Sequence, residues 1–207
     1  MSKDDFNARA YSRLRIPVVN AQMRDVAPGF ILFAGDSHID LYRQPSKLCD
    51  RDTINAGVSG ANAAVYTAAI KKLKLPSKAA AAVLVIGTND LLRKATVDSI
   101  NYERKIETLL DALKVKAEFV FATAIPPVAE EKATDFDVGG IETYSKVIAR
   151  VCGRLEKCSF HDPYEGLRRE GTFGIAKNGV TIDGVHARSY REIYEQLPLC
   201  DVIPRTR

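Results

Sequence analysis

Three residues in this chain have the types needed to open an ester: Ser37, Asp183 and His186. A serine hydroxyl is a weak nucleophile until a neighbouring base accepts its proton. In Asp183-Gly184-Val185-His186 the carboxylate is close enough in sequence to reach one imidazole nitrogen. The other nitrogen is then free to take the serine proton. Nucleophile, orienter and base follow in the order Ser, Asp, His, and acid and base are nearly adjacent. Acyl transfer also needs donors aimed at the developing oxyanion. The sequence offers the backbone N–H of Ser37, the side-chain NH₂ of Asn89, and a backbone N–H at Gly57, where a missing side chain permits close approach.

Each of these residues also has a plainer reading. Ser37 and Asp40 have the S-x-x-D spacing of a capping box. Gly57, Asn89 and Asp183-Gly184 suit turns. Asp36 and Asp90 read as structural acids that hold loops, and Ser59 has no dedicated role. His38 reads as exposed on a first helical turn. His161-Asp162 reads as a loop-fixing pair, since no third ligand accompanies it for a metal. Neither a metal nor a cofactor is expected.

The elements that must position these groups alternate. Strands one to five are read at 30–34, at a weak run over 53–56, at 81–86 (the most continuous apolar run), at 118–125 and at a short stretch over 157–161. Helical stripes lie between them, at Ala61, Val65, Ala69 and Leu73, at Tyr102, Ile106, Leu109, Leu110 and Leu113, and at Ile141, Tyr144, Ile148, Val151 and Leu155. A final helix is expected from about Tyr190, capped by Ser189 and Glu192. Five strand-helix alternations imply an α/β fold with helices on both faces of a parallel sheet. The right-handed crossover rule makes a flavodoxin-like five-stranded order 2-1-3-4-5 the simplest topology. Strands one and three would then flank the switch point, with Ser37 and Asn89 at their C-terminal ends. Residues 1–28 are expected to form an arm on the domain, with a short helix over 4–14 and punctuation at Pro17 and Pro28. Residues 29–207 form the single domain. The glycine-rich stretch 163–184 is long for a connection and reads as a functional loop.

Composition narrows the setting. The chain has 207 residues, 46% hydrophobic and 27% charged, enough for one good core. A net charge of +4 is mild, and no aromatic residues interleave the Lys71, Lys72, Lys74, Lys78 cluster. No nucleic-acid partner is therefore expected. No apolar run reaches membrane-spanning length. The four cysteines, Cys49, Cys152, Cys158 and Cys200, are scattered and read as free thiols. No signal segment is seen at Met1. Together these features suggest a cytoplasmic location, or secretion if a leader has been removed. Oligomeric state is not legible.

No Gly-x-Ser-x-Gly elbow, P-loop or G-x-G-x-x-G occurs. Four short blocks instead carry a resemblance. Gly35-Asp36-Ser37, Asn55-Ala56-Gly57-Val58-Ser59-Gly60, Gly87-Thr88-Asn89-Asp90 and Asp183-Gly184-Val185-His186 occur in the order typical of the SGNH hydrolases, also called the GDSL-like esterase/lipase family. The chain resembles that family over residues 35–186. The resemblance implies a three-layer α/β/α sandwich, a Ser37 nucleophile with Asp183 and His186, and an oxyanion hole from Ser37, Gly57 and Asn89. It departs from the family at His38, where a small or apolar residue is common. The implied activity is a serine esterase or deacylase acting on small acyl esters, with acetylated carbohydrate among the candidate substrates. An O-acyltransferase, a lipase or thioesterase, and a non-catalytic binding module are the alternatives. The absence of Trp removes the commonest sugar-stacking platform, though eight Tyr are available.

Overall fold

The computed structural model describes residues 7–93 and 98–203. In chain order the elements begin with α1 (Ala8–Gln22), β1 (Ile31–Gly35), the single turn α2 (Ser37–Asp40), β2 (Lys47–Leu48), β3 (Arg51–Gly57) and α3 (Ala63–Ile70). They continue with β4 (Ala79–Val85), α4 (Ser99–Lys114), β5 (Ala117–Thr123), α5 (Val138–Gly153), β6 (Cys158–His161), and the short helices α6 (Arg191–Tyr194) and α7 (Leu199–Val202). The sheet order is β2-β3-β1-β4-β5-β6. Its five parallel strands are those read from the sequence, in the expected order. The sixth, β2, is a two-residue antiparallel edge strand that folds back on β3. It was missed because two residues of mixed polarity carry no period.

The two faces of the sheet are covered unequally. Leu32, Ala34, Ala82, Leu84, Val120 and Ala122 face one way, into a core shared with α1, α3, α4 and α5. Ile31, Phe33, Ala81, Val83, Val85 and Phe121 face the other way. There Ile39, Tyr164, Tyr190, Tyr194 and Leu199 cover them from short helices and coil. Strands buried on both faces explain why these runs are continuous and not alternating. The stripe expected on α4 is buried, as is that on α5 as far as Val151, Leu155 lying half-buried past the helix end, and the helices meet at a Tyr102–Tyr144 stack with ring centroids 4.1 Å apart.

Three local expectations change. The N-terminal helix runs through Pro17 to Gln22 because Ile16, Val19 and Met23 are buried against the core. The helix expected from Ala61 starts two residues later, since Asn62 caps it by accepting from Val65 N–H at 2.9 Å. Residues 58–62 are thereby left as a loop. The Ser189–Glu192 capping box does not form: α6 follows Tyr190, with no side-chain cap.

The cysteines are not free thiols. Cys49 bonds Cys200, and Cys152 bonds Cys158, with Cα separations of 5.2 and 5.3 Å. The second bridge closes the turn between α5 and β6. The first joins residues 151 apart in sequence, a juxtaposition that spacing could not reveal. Among the described residues no helix is long and apolar enough to cross a membrane.

Candidate active site

Ser37 stands where β1 turns sharply into α2. Gly35 makes that turn with φ +149°, and a Cβ there would lie 1.9 Å from Val85 O. The Asp36 N–H donates to the same carbonyl at 3.1 Å. Asp36, and not Ser37, caps α2: its carboxyl accepts from His38 N–H at 3.0 Å. Ser37 is therefore the first helical residue, where a backbone N–H has no partner within the helix.

The expected base reaches it across 149 residues of sequence. His186 Nε2 lies 2.7 Å from Ser37 Oγ, and His186 Nδ1 lies 2.7 Å from Asp183 Oδ2. Asp183 Oδ1 also accepts the backbone N–H groups of Val185 and His186, at 3.0 and 2.8 Å. Burial pulls the Asp183 carboxyl upward, but these bonds and the imidazole outweigh it and hold the group down at about 2. An ionised carboxylate only accepts. Nδ1 therefore carries the proton, and the Nε2 lone pair faces the serine O–H. An antiparallel bridge between Thr181 and Ala187 closes the hairpin that carries both residues.

One of the three expected oxyanion donors is already engaged. Gly57 N–H donates to Asn55 Oδ1 at 2.9 Å and is spent inside the fold. Gly57 is glycine for another reason: a Cβ would lie 2.2 Å from Asp40 N, where α2 crosses the end of β3. Three residues on, Gly60 sits in the 58–62 loop with φ +71°. Its N–H and that of Ser37 have no hydrogen-bond partner among the described residues. Asn89 flanks this loop, donating one amide hydrogen to Ala61 O at 3.1 Å and keeping the other. Asn89 belongs to a 3₁₀ turn, Thr88–Asp90, at the end of β4. Asp90 ties that turn to α3 by accepting from Ala63 N–H at 2.8 Å.

Several positioning residues escaped sequence reading. Asp40 caps nothing, in contrast to the S-x-x-D reading. Its carboxylate accepts from Tyr11 O–H at 2.8 Å, Arg15 Nε at 3.2 Å, Ser59 N–H at 3.2 Å and Ser59 O–H at 2.5 Å. It thus links α1, the nucleophile turn and the 58–62 loop, and gives Ser59 a structural role. Asn55 donates to Ile39 O and Tyr42 O at 2.6 and 2.9 Å, and so fixes α2 from below. Its place in the block Asn55-Ala56-Gly57 was the only available signal.

His38 is buried, not exposed. Its Nδ1 lies 3.2 Å from Tyr190 O–H and its Nε2 3.2 Å from Thr88 Oγ1, and its ring centroid is 5.3 Å from that of His186. Burial, and then the neighbouring His186, hold the His38 imidazole down at about 3. It is a neutral wedge between the two sides of the site. Asp36 is buried beside it, and burial pushes its carboxyl up to about 8. His161 and Asp162 do not pair with each other. His161 Nε2 bonds Ser159 Oγ at 2.9 Å, while Asp162 holds Arg168 at 2.7 Å and accepts from Tyr164 N–H.

The matching family model is that of the GDSL-like lipase/acylhydrolase family, over residues 34–187. Comparison with curated proteins finds no match. Among solved structures, the chain is similar to a Streptococcus pneumonia protein described as a platelet activating factor. That likeness has a TM-score of 0.76 at 18% identity and covers 90% of each chain. A GDSL-like lipase from Bacteroides thetaiotaomicron VPI-5482 gives 0.67 at 17% identity, covering 95% of this chain and 96% of that one. An acetyl-xylooligosaccharide esterase variant from Geobacillus Stearmophilus gives 0.59 at 17%, covering 88% and 99%. At such identities the structures establish a shared fold. The family model spans the nucleophile turn, the 58–62 loop, Asn89 and the Asp183–His186 hairpin, and by that match this chain belongs to the GDSL-like lipase/acylhydrolase family.

Proposed function

We propose that this enzyme hydrolyses short-chain acyl esters through an acyl-enzyme on Ser37. One observation carries the reading: Ser37 Oγ is 2.7 Å from His186 Nε2, whose other nitrogen is held by an ionised Asp183. In the first half-reaction Ser37 Oγ bonds to the acyl carbon as His186 takes its proton. The oxyanion forms against the Ser37 and Gly60 N–H groups and the free amide hydrogen of Asn89. Its collapse breaks the ester bond, and His186 returns the proton to the departing alcohol. A water molecule, deprotonated by His186, then releases the acid and regenerates Ser37.

The short-acyl preference rests on the surroundings. A methylene gains about 0.8 kcal/mol only where an apolar wall buries it. Beside His186, Leu41 and Ile182 are the exposed large apolar side chains among the described residues, room for only a few methylenes. The likeness to an acetyl-xylooligosaccharide esterase adds support for an acetyl group on a hydroxyl-rich alcohol. The two disulfides favour an oxidising compartment over the cytoplasm. The test is a p-nitrophenyl ester series from acetate to palmitate, with Ser37→Ala as control. We expect kcat/KM to be highest at acetate or propionate. A steady climb with chain length would point to a lipase or thioesterase.

A further inference from the structure

A cavity of about 490 Å³ opens against His186, between the end of α2 and the start of α6. Arg43, Arg188 and Arg191 line it, with Leu41 and Ile182 and the ring of Tyr42. Three guanidinium groups in one cavity beside a reacting centre need a charge account. Arg191 has a carboxylate partner, Glu195, at 3.6 Å. Asp183, ionised against a neutral His186, offsets one of the guanidinium charges. Arg188 uses Nε on Gly179 O at 2.6 Å, a neutral acceptor that leaves its charge uncompensated. Arg43 has no hydrogen-bond or ion-pair partner among the described residues. The cavity therefore carries a net positive charge.

Tyr42 forms the inner wall of the cavity, its ring packed on Phe33, Tyr190 and Tyr194. Tyr42 is only 3% exposed, and its buried hydroxyl has no hydrogen-bond partner among the described residues. Burial, and then Glu195, push that hydroxyl up to about 12, so it stays a neutral donor. A buried hydroxyl without a partner normally costs free energy. Guanidinium forks are suited to planar or tetrahedral oxyanions, which they bind through paired N–H bonds.

Resting on the esterase reading above, we propose that the alcohol portion of the substrate carries an anionic oxyacid group, a carboxylate or a phosphate, which Arg43 and Arg188 bind in this cavity while Ser37 attacks the acyl carbon. Arg43 and Arg188 are specificity residues in this assignment. Their side chains are exposed, and neither is part of the nucleophile, base or oxyanion set.

The experiment compares two acetates with the same chromophore, 4-acetoxy-3-nitrobenzoate and its methyl ester. The wild-type enzyme should favour the anionic ester by roughly tenfold in kcat/KM at low salt, as expected for electrostatic recognition. Raising NaCl from 20 to 500 mM should erase most of that preference and leave the methyl ester unaffected. Arg43→Gln with Arg188→Gln should remove the preference without slowing the methyl ester. Benzoate and phenyl phosphate as competitive inhibitors then distinguish carboxylate from phosphate, and the double variant should be insensitive to both. Equal turnover of the two esters, or a preference that survives both substitutions, overturns the anionic subsite while leaving the esterase reading intact. No turnover of either ester, together with an unlabelled Ser37 after fluorophosphonate treatment, overturns both.

Discussion

On the oxyanion side of Ser37, side chains from deep in the fold fasten the backbone. Asp40 alone accepts bonds from α1 and from the 58–62 loop, and Asn55 fixes two carbonyls of the nucleophile turn. On the base side, Asp183 and His186 ride a hairpin in a loop that runs from β6 to α6. Its regular structure is one 3₁₀ turn and isolated bridges. Asp40 has a side chain only 10% exposed, against 54% for Asp183. The difference fits the two tasks proposed for these sides. Donors to an oxyanion work when they are fixed before charge develops. A base that passes protons to alcohols and water needs access to solvent. The base side therefore depends largely on bonds within its own hairpin, with a tie from Ala129 N–H to Gly184 O at 2.7 Å, and the oxyanion side on long-range bonds between separate elements.

That contrast can be tested by what each side loses on substitution. Ser37→Ala or His186→Ala should each lower kcat by about 10⁴-fold or more, and the pair together should be scarcely worse, because the two act as one unit. Additive losses would mean that Ser37 and His186 work separately. Asn89→Ala should cost about 10² to 10³-fold in kcat with little change in KM, as for loss of one oxyanion donor. Gly60→Ala, which forces a side chain onto a φ of +71°, should lower kcat comparably. An unaffected Gly60→Ala enzyme would return the second backbone donor to some other amide.

Smaller losses are expected one layer out. Asp40→Asn keeps the shape but cannot accept from Arg15, Tyr11 and Ser59 alike. A shift of the 58–62 loop should cost up to about 10²-fold in kcat, with KM nearly unchanged. Tyr11→Phe should cost less, since it removes one donor to the same carboxylate. If Asp40→Asn instead raises KM alone, the oxyanion side is not positioned through α1.

The last test reads stability and not turnover, and concerns pH. Asp36 is raised to about 8 by burial, against roughly 3.9 for an exposed aspartate. Its protonated form is the one the fold prefers. Its stability contribution is fully present below about pH 3.9 and is lost as pH rises through about 8, with a slope of at most ~1.4 kcal/mol per pH unit. Asp90, raised to about 6 by burial, acts in the same direction over the lower part of that window. Denaturant midpoints at pH 5, 6.5 and 8 should therefore fall with pH, and Asp36→Asn should flatten the trend. A variant with an unchanged pH trend would exclude Asp36 as its origin.

What could be read before the structure was whatever local spacing encodes. The central strands were visible because strands buried on both faces are continuous apolar runs, whereas β3 and the half-buried β6 were read from their place in the strand-helix alternation. The helices of α4 and α5 were visible because their buried stripes repeat at the helical period. Ser37, Asn89, Asp183 and His186 were legible because each falls within a short block of three or four residues, and such blocks need no tertiary information. Tertiary structure decided everything that depends on two distant segments meeting. The Cys49–Cys200 bond, the burial of His38 between Thr88 and Tyr190, and the convergence of α1 on Asp40 join residues 25 to 152 positions apart, beyond the reach of any period. Gly57 and Gly60 show the same limit at three residues' distance. Both are glycines in one block, and only the folded chain shows that the first N–H is taken by Asn55 while the second has no partner among the described residues.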